Sequence, residues 1–298
     1  MDGIICVNKP AGFTSFDVVA KCRGILRERR IGHGGTLDPM ATGVLPLFLG
    51  RATPAADLAG DAIKAYTAGV KLGMRTDTYD VTGRVLSTAE CHVSKQQLDG
   101  ALSGFVGEIE QIPPMYSAVK INGQRLYDIA RSGGEVDRPA RKVTVHSIES
   151  ESDGEDYLLR IVCSKGTYVR SIVNDLGELL GCGAVLTSLV RTRSCGFDID
   201  DCVTLQQLQI CRDEGCPERY LRPVGEVFKD LPRLCVEGEN LRRFLNGAPT
   251  HLSGLADGRY CTWTGEDFLG LAEIEDGVFY TKKLFVDQAQ ANKLYFNR

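Results

Sequence analysis

Apolar positions recur along this chain in two periods, and the switches between them mark out the elements. Residues 4–8 (Ile4, Ile5, Cys6, Val7, Asn8) read as a short strand. Thr14 or Ser15 then stands as N-cap to a helix with the apolar stripe Phe16, Val19, Cys22 and Leu26. Arg23, Arg27 and Arg30 follow at helical spacing and predict a basic stripe away from the core. Residues 64–73 alternate as a strand through Tyr66, Ala68, Val70 and Leu72. Residues 94–106 predict a helix with Ser94 as cap and Leu98, Leu102 and Phe105 on one face. An acidic hairpin, Glu149 to Asp156, precedes a strand over 157–163. Thr167 is expected to cap a helix with the stripe Val169, Ile172, Val173, Leu176 and Leu180, stopped by Gly181.

Two stretches break both periods. Gly32-His33-Gly34-Gly35-Thr36-Leu37-Asp38-Pro39-Met40-Ala41-Thr42-Gly43 is too rich in glycine for a helix or a central strand. Residues 113–142 carry little periodicity and predict a long functional insertion with some local helix. After residue 228 the texture changes to an amphipathic segment, Leu241 to Phe244, and short strand-like runs such as Tyr260 to Trp263 and Phe268 to Ala272. The expected division is a catalytic domain over 1–228 and a small β-rich domain over 229–298.

Composition narrows the class. The chain has 298 residues, 43% of them hydrophobic and 25% charged, which suits a soluble α+β protein. No basic segment precedes the apolar Ile4 to Val7, and no apolar run approaches membrane length, so a cytoplasmic location is expected. The eleven cysteines include no C-x-x-C pair, which predicts reduced, mostly buried thiols and no metal site. The net charge of −4 argues weakly against nucleic acid, but charge is segregated. Six basic residues fall between Lys9 and Arg30 and six more between Lys120 and Lys142, whereas acid gathers at Glu149 to Asp156.

Phosphate-loop, dinucleotide-binding, serine-hydrolase and zinc-protease signatures are missing, and four histidines give little material for triads. Asp38 is the most informative acid. Pro39 biases it toward an extended backbone, so its carboxylate could be held at a cleft, although Asp-Pro is also an ordinary turn. Arg170 shares a strand-to-helix junction with Lys165 and Tyr168, and reads either as a surface arginine or as an anion binder. Tyr66, among small residues, reads first as core packing.

Taken together these segments resemble one family. Gly32 to Gly43 closely resembles the signature of the TruB family of pseudouridine synthases. Lys9 to Ser15, Tyr66 with Lys71 to Asp80, Gln111 to Lys120 and Ser164 to Arg170 are similar to its other motifs, in family order. The resemblance implies a mixed, mainly antiparallel sheet flanked by helices, and a C-terminal PUA-like RNA-binding domain. It implies isomerisation of uridine to pseudouridine at position 55 in the T-loop of tRNA, without cofactor, by a monomer. Asp38 would be the catalytic aspartate, paired bidentately by Arg170. Tyr66 would stack on the base and assist removal of the C5 proton, and Tyr168 and Leu189 would line its pocket. His33 would fill the space the base leaves. The insertion at 113–142 would close on the T-arm, and Lys9 and Lys120, from the two basic stretches, are expected to contact RNA. A tRNA-binding protein without activity and a guide-RNA-dependent relative are the alternatives.

Overall fold

The computed structural model describes residues 1–59, 63–117, 119–121, 123–134, 136–153, 156–252, 254–287, 289–291 and 293. Along the chain come β1 (Gly3–Lys9), α1 (Ser15–Leu26), β2 (Ile31–His33), β3 (Thr42–Leu49), α2 (Ala55–Leu58), β4 (Lys64–Leu72), β5 (Met74–Thr76) and β6 (Val85–Thr88). Then follow α3 (Lys95–Ser103), β7 (Gly107–Gln111), β8 (Lys120–Ile121), β9 (Gln124–Arg125), α4 (Leu126–Arg131), β10 (Arg141–Asp153), β11 (Asp156–Cys163) and α5 (Val169–Leu179). The last are β12 (Ala184–Ser194), β13 (Phe197–Asp198), α6 (Leu205–Asp213), β14 (Arg233–Cys235), α7 (Gly238–Leu245), β15 (Thr250–His251), β16 (Gly258–Thr264), β17 (Asp267–Glu275) and β18 (Val278–Leu284).

Nine strands share one sheet in the order β1-β3-β12-β4-β11-β10-β7, with β2 on β3 and β13 on β12. Every pairing in it is antiparallel except β3 with β12. The late strand β12 is thus inserted between two early ones, which brings the turn before β3 next to β4 and the start of α5. The insertion needs Gly43: its φ is +101°, and a Cβ there would lie 2.2 Å from the Arg191 carbonyl oxygen.

Local chemistry explains the helices. Thr14 caps α1 through a reciprocal pair with Asp17, and Ser94 caps α3 in the same way with Gln97. The α1 stripe differs from expectation. Val18, Val19, Cys22, Ile25 and Leu26 are buried, whereas Phe16 is 63% exposed under the Arg23 guanidinium. The helix also stops at Leu26, where Arg27 turns left-handed, so Arg27 and Arg30 do not extend a helical basic stripe. Thr167 does not cap α5. Tyr168 takes the N-cap position, and Gln111 accepts its backbone N–H at 2.7 Å. The acidic run belongs to the far end of β10, where Glu149 faces Arg160 of β11. The segment 113–142 holds more order than expected: a β8–β9 hairpin and α4, anchored by the buried Leu126.

Helices α3 and α5 pack on one part of the sheet with Leu98, Val145, Ile161, Ile172 and Leu176 buried between them. Helices α1 and α6 cover another part around Val7, Val19, Leu47 and Leu208. The second sheet, β14-β16-β17-β18-β15, has its own core around Phe244 and Phe279. A shared cluster of Ile4, Cys6, Phe48, Phe228, Cys261, Leu271 and Phe285 joins the two sheets. Among the described residues no helix is long and apolar enough to cross a membrane.

Candidate active site

The turn carrying Asp38 is held from below by two buried cations. Lys9, fully buried, donates through Nζ to the carbonyls of Pro10 at 3.0 Å, Pro39 at 3.2 Å and also Phe13. Arg191, also fully buried, donates through Nε to Val44 O at 2.8 Å, Nη1 to Thr36 O at 3.3 Å and Nη2 to Gly35 O at 3.0 Å. A buried charge is costly unless its donors are met, and here carbonyl dipoles meet them. Ser15 adds a reciprocal pair, its Oγ accepting from Leu37 N at 2.8 Å and donating to Leu37 O at 3.3 Å. The Lys9 ammonium, expected at an RNA contact, is met by carbonyls inside the fold instead, and burial lowers its pKa to about 8.

Arg170 reaches the same turn from the first turn of α5. It is 3% exposed. Its Nε lies 2.8 Å from Asp38 Oδ2 and 4.0 Å from Asp80 Oδ2. Nη1 donates to Thr78 O at 3.0 Å and Nη2 to Tyr116 O at 2.7 Å. The expected bidentate fork on Asp38 is thus not formed. One nitrogen contacts the carboxylate and the other two are spent on carbonyls, because the guanidinium lies across the turn after β5 and the base of the insertion. The Nε contact is electrostatic, with no aligned hydrogen bond to the buried N–H.

Asp80, which sequence reading passed over, is the second acid here. It is 4% exposed, and its Oδ1 accepts from Thr78 Oγ1 at 2.9 Å, Thr82 N at 2.9 Å and Thr82 Oγ1 at 2.5 Å. The threonines flanking it were the available signal. Burial raises the pKa of Asp38 above the ordinary 3.8, Asp80 pushes the same way, and Arg170 and Lys9 oppose it. The result is a carboxylate held basic beside a fixed cation.

Asp38, Arg170, Tyr66, Tyr168, Leu189 and Lys64 line one cavity of about 240 Å³, with Thr36, Leu37, Ser117, Gly166, Thr167 and Val169. Tyr66 stands on β4 opposite Arg191 and Ile161 and is 7% exposed. Burial raises its phenol pKa above 10, with Arg191 opposing. His33, on β2, lies outside this wall. Burial, Arg191 and Lys64 lower its pKa, and its Nδ1 is buried without a partner. Of Lys120 only the backbone, in β8, lies within what the structure describes; its side chain lies outside it. Two larger cavities, of about 530 and 500 Å³, lie along the seam with the second sheet and contain none of these residues. Among the described residues no group of three or more metal-binding side chains occurs.

Sequence reading also missed Lys64 and Arg191. Lys64 stands two residues before Tyr66 in a strand, so alternation alone puts both on one face. Arg191 stands two residues after the buried Leu189 in β12, so alternation puts it on the buried face, which was a signal of a satisfied buried charge.

A family model for the TruB family pseudouridylate synthase N-terminal domain matches residues 23–169, and one for the tRNA pseudouridylate synthase B C-terminal domain matches 170–228. Their junction falls inside the first turn of α5, between Val169 and Arg170. The chain is 42% identical over 293 residues to tRNA pseudouridine synthase B of Clostridium kluyveri, covering 96% of this chain and 100% of the relative. It is 43% identical over 303 residues to that of Aromatoleum aromaticum, covering 98% and 96%. A solved structure of a Cbf5-Nop10-Gar1 complex contains a chain similar at TM-score 0.76 and 26% identity, over 97% of this chain and 86% of that one.

Proposed function

This chain belongs to the TruB family of pseudouridine synthases and isomerises uridine to pseudouridine in tRNA, and from that premise we propose that Asp38 is the catalytic carboxylate, acting on position 55 of the T-loop. The observation that carries the assignment is the 2.8 Å approach of the buried Arg170 to Asp38 at the wall of a cavity lined by Tyr66, Tyr168 and Leu189.

The reaction breaks the N1–C1′ bond, turns the uracil and joins C5 to C1′; C5 loses a proton and N1 gains one. It is redox-neutral. Asp38 either attacks C1′ or removes the C2′ proton, and both need the carboxylate ionised. Arg170 favours that form and fixes its direction. The uridine must leave its stack, at a cost of a few kcal/mol. Stacking on Tyr66 offsets about 1–3 kcal/mol of it. The raised phenol pKa keeps Tyr66 protonated near neutrality, which suits a stacking platform. Tyr168 and Leu189 complete the base pocket, and His33 enters the RNA where the base has left. The insertion at 113–142, including Lys120, closes on the T-arm, and the sheet over 229–298 adds a second RNA surface. The protein works as a monomer in the cytoplasm, where its substrate is. Relatives at 42–43% identity over nearly the whole chain carry the name tRNA pseudouridine synthase B, which favours a stand-alone enzyme over a guide-RNA-dependent subunit.

Purified protein is to be incubated with an unmodified tRNA transcript, with pseudouridine mapped by sequence position and turnover followed by tritium release from C5. The expected result is modification at position 55 by the wild type and none by Asp38→Asn. Normal release by the variant refutes the role of Asp38.

A further inference from the structure

Two cations meet the Gly35–Thr36 turn, and they are treated differently. Each of the three guanidinium nitrogens of Arg191 donates to a carbonyl. Lys64 has no hydrogen-bond acceptor among the described residues, although it lines the cavity with Asp38 and Tyr66. Room for its ammonium comes from Gly35, where a Cβ would stand 3.1 Å from Nζ. The groups that bear on Lys64 come from every side: Arg191 on β12, Lys165 before α5, Cys163 on β11, Cys195 after β12, and His33 on β2. None is a carboxylate. A desolvated cation without a counter-charge, facing a cavity, is built to meet negative charge that arrives or develops there.

We infer that the Lys64 ammonium holds the ring oxygen of the detached uracil while that ring is anionic. This rests on the reading of the cavity as the uridine pocket. When the N1–C1′ bond breaks, its electron pair stays on the ring, spread over N1 and the two carbonyl oxygens. The pair is returned as C5 joins C1′; the C5 proton then leaves and N1 takes one up. A ground-state uridine carries no such charge, so the contact strengthens only after cleavage, which is when it accelerates reaction. A backbone phosphate is the lesser fit, because Lys64 shares this cavity with Tyr66, Tyr168 and Leu189, the side chains read as the walls of the base pocket.

The test uses full-length Lys64→Met and Lys64→Arg with an unmodified tRNA transcript, measuring single-turnover tritium release and, at several salt concentrations, the Kd. Lys64→Met is expected to lose about 100-fold in rate, as for removal of an oxyanion donor. Its Kd and salt slope stay as in wild type, and Lys64→Arg recovers most of the rate. Burial and Arg191 lower the Lys64 pKa to about 8, so wild-type rate falls above that pH as the ammonium is lost. Lys64→Arg is expected to hold its rate there. A Lys64→Met rate within about threefold of wild type overturns the inference, as does a loss carried by Kd with a salt slope lower by about one charge, the mark of a phosphate contact. Should Lys64→Met fail to melt cooperatively, the arginine variant decides: an unchanged alkaline limb overturns the inference and its loss supports it. Wild-type release from the same transcript is the control on the pocket itself, since a silent wild type condemns that reading and not the role of Lys64.

Discussion

Arg170 and Arg191 are both buried arginines a short way from Asp38, yet one is finished and the other is not. Arg191 turns each of its three guanidinium nitrogens onto a carbonyl of the turn it supports or of β3. Arg170 spends two on carbonyls and leaves Nε beside a carboxylate that faces a cavity. A closed polar cage rigidifies, whereas an incompletely satisfied one keeps electrostatic capacity for a ligand, at a cost in stability. The first region holds the site's shape and the second holds its reactivity.

Asp38→Asn is expected to lower single-turnover rate by on the order of 10⁴-fold, the upper range for a positioned acid–base or nucleophilic group. Folding responds in the opposite sense. The native pKa of Asp38 is raised, so between 3.8 and that higher value the native state binds more protons than the unfolded one, and stability falls as pH rises through this window. Asp38→Asn is therefore expected to unfold at higher denaturant than wild type near pH 7, with the gain gone below the ordinary carboxylate range. A variant less stable at pH 7 would break the contrast.

Arg191→Met reverses the pattern. Its three carbonyls lose their donors, and a loss of roughly 3 kcal/mol is expected, at about 1–3 kcal/mol per unsatisfied buried group with partial relaxation. Urea unfolding measures it; a loss under about 1 kcal/mol would show that the cage is not needed. Arg170→Lys is expected to cost about 100-fold in rate, because an ammonium cannot span Asp38, Thr78 O and Tyr116 O together. Tritium release within a few-fold of wild type would dissolve the distinction between the two arginines. Asp80→Asn gives the smallest effect. Removing a like charge lowers the Asp38 pKa, so the acid limb of the rate profile moves to lower pH. A limb that stays in place or moves up would remove Asp80 from the electrostatics of the site.

Much of the architecture was legible because its causes are local. The caps Thr14 and Ser94 each need only a partner three residues on. The alternation over 64–73 marked β4, and Gly181 marked the end of α5, where its φ of +75° accepts the left-handed turn. Asp38, Tyr66 and Arg170 were legible only as members of a family pattern, since an Asp-Pro turn, a strand tyrosine and a helix-start arginine are each commonplace.

What the amino-acid order determined by itself was the locally coded elements such as α1, β4, α3, β11 and α5, the placement of glycine where the backbone must turn left-handed, and the membership of the motifs. What the tertiary structure alone decided was the fate of each charge. Lys9 and Lys64 read alike along the chain, but three carbonyls close on Lys9 and, among the described residues, none on Lys64. The reason is that the partners of a buried cation come from segments remote in sequence, Pro39 for Lys9 and Thr78 and Tyr116 for Arg170. The pairing of β1 with β3, which sets Lys9 opposite Gly43, brings Lys9 to the Pro39 turn, and the insertion of β12 beside β3 brings Arg191 to the same turn.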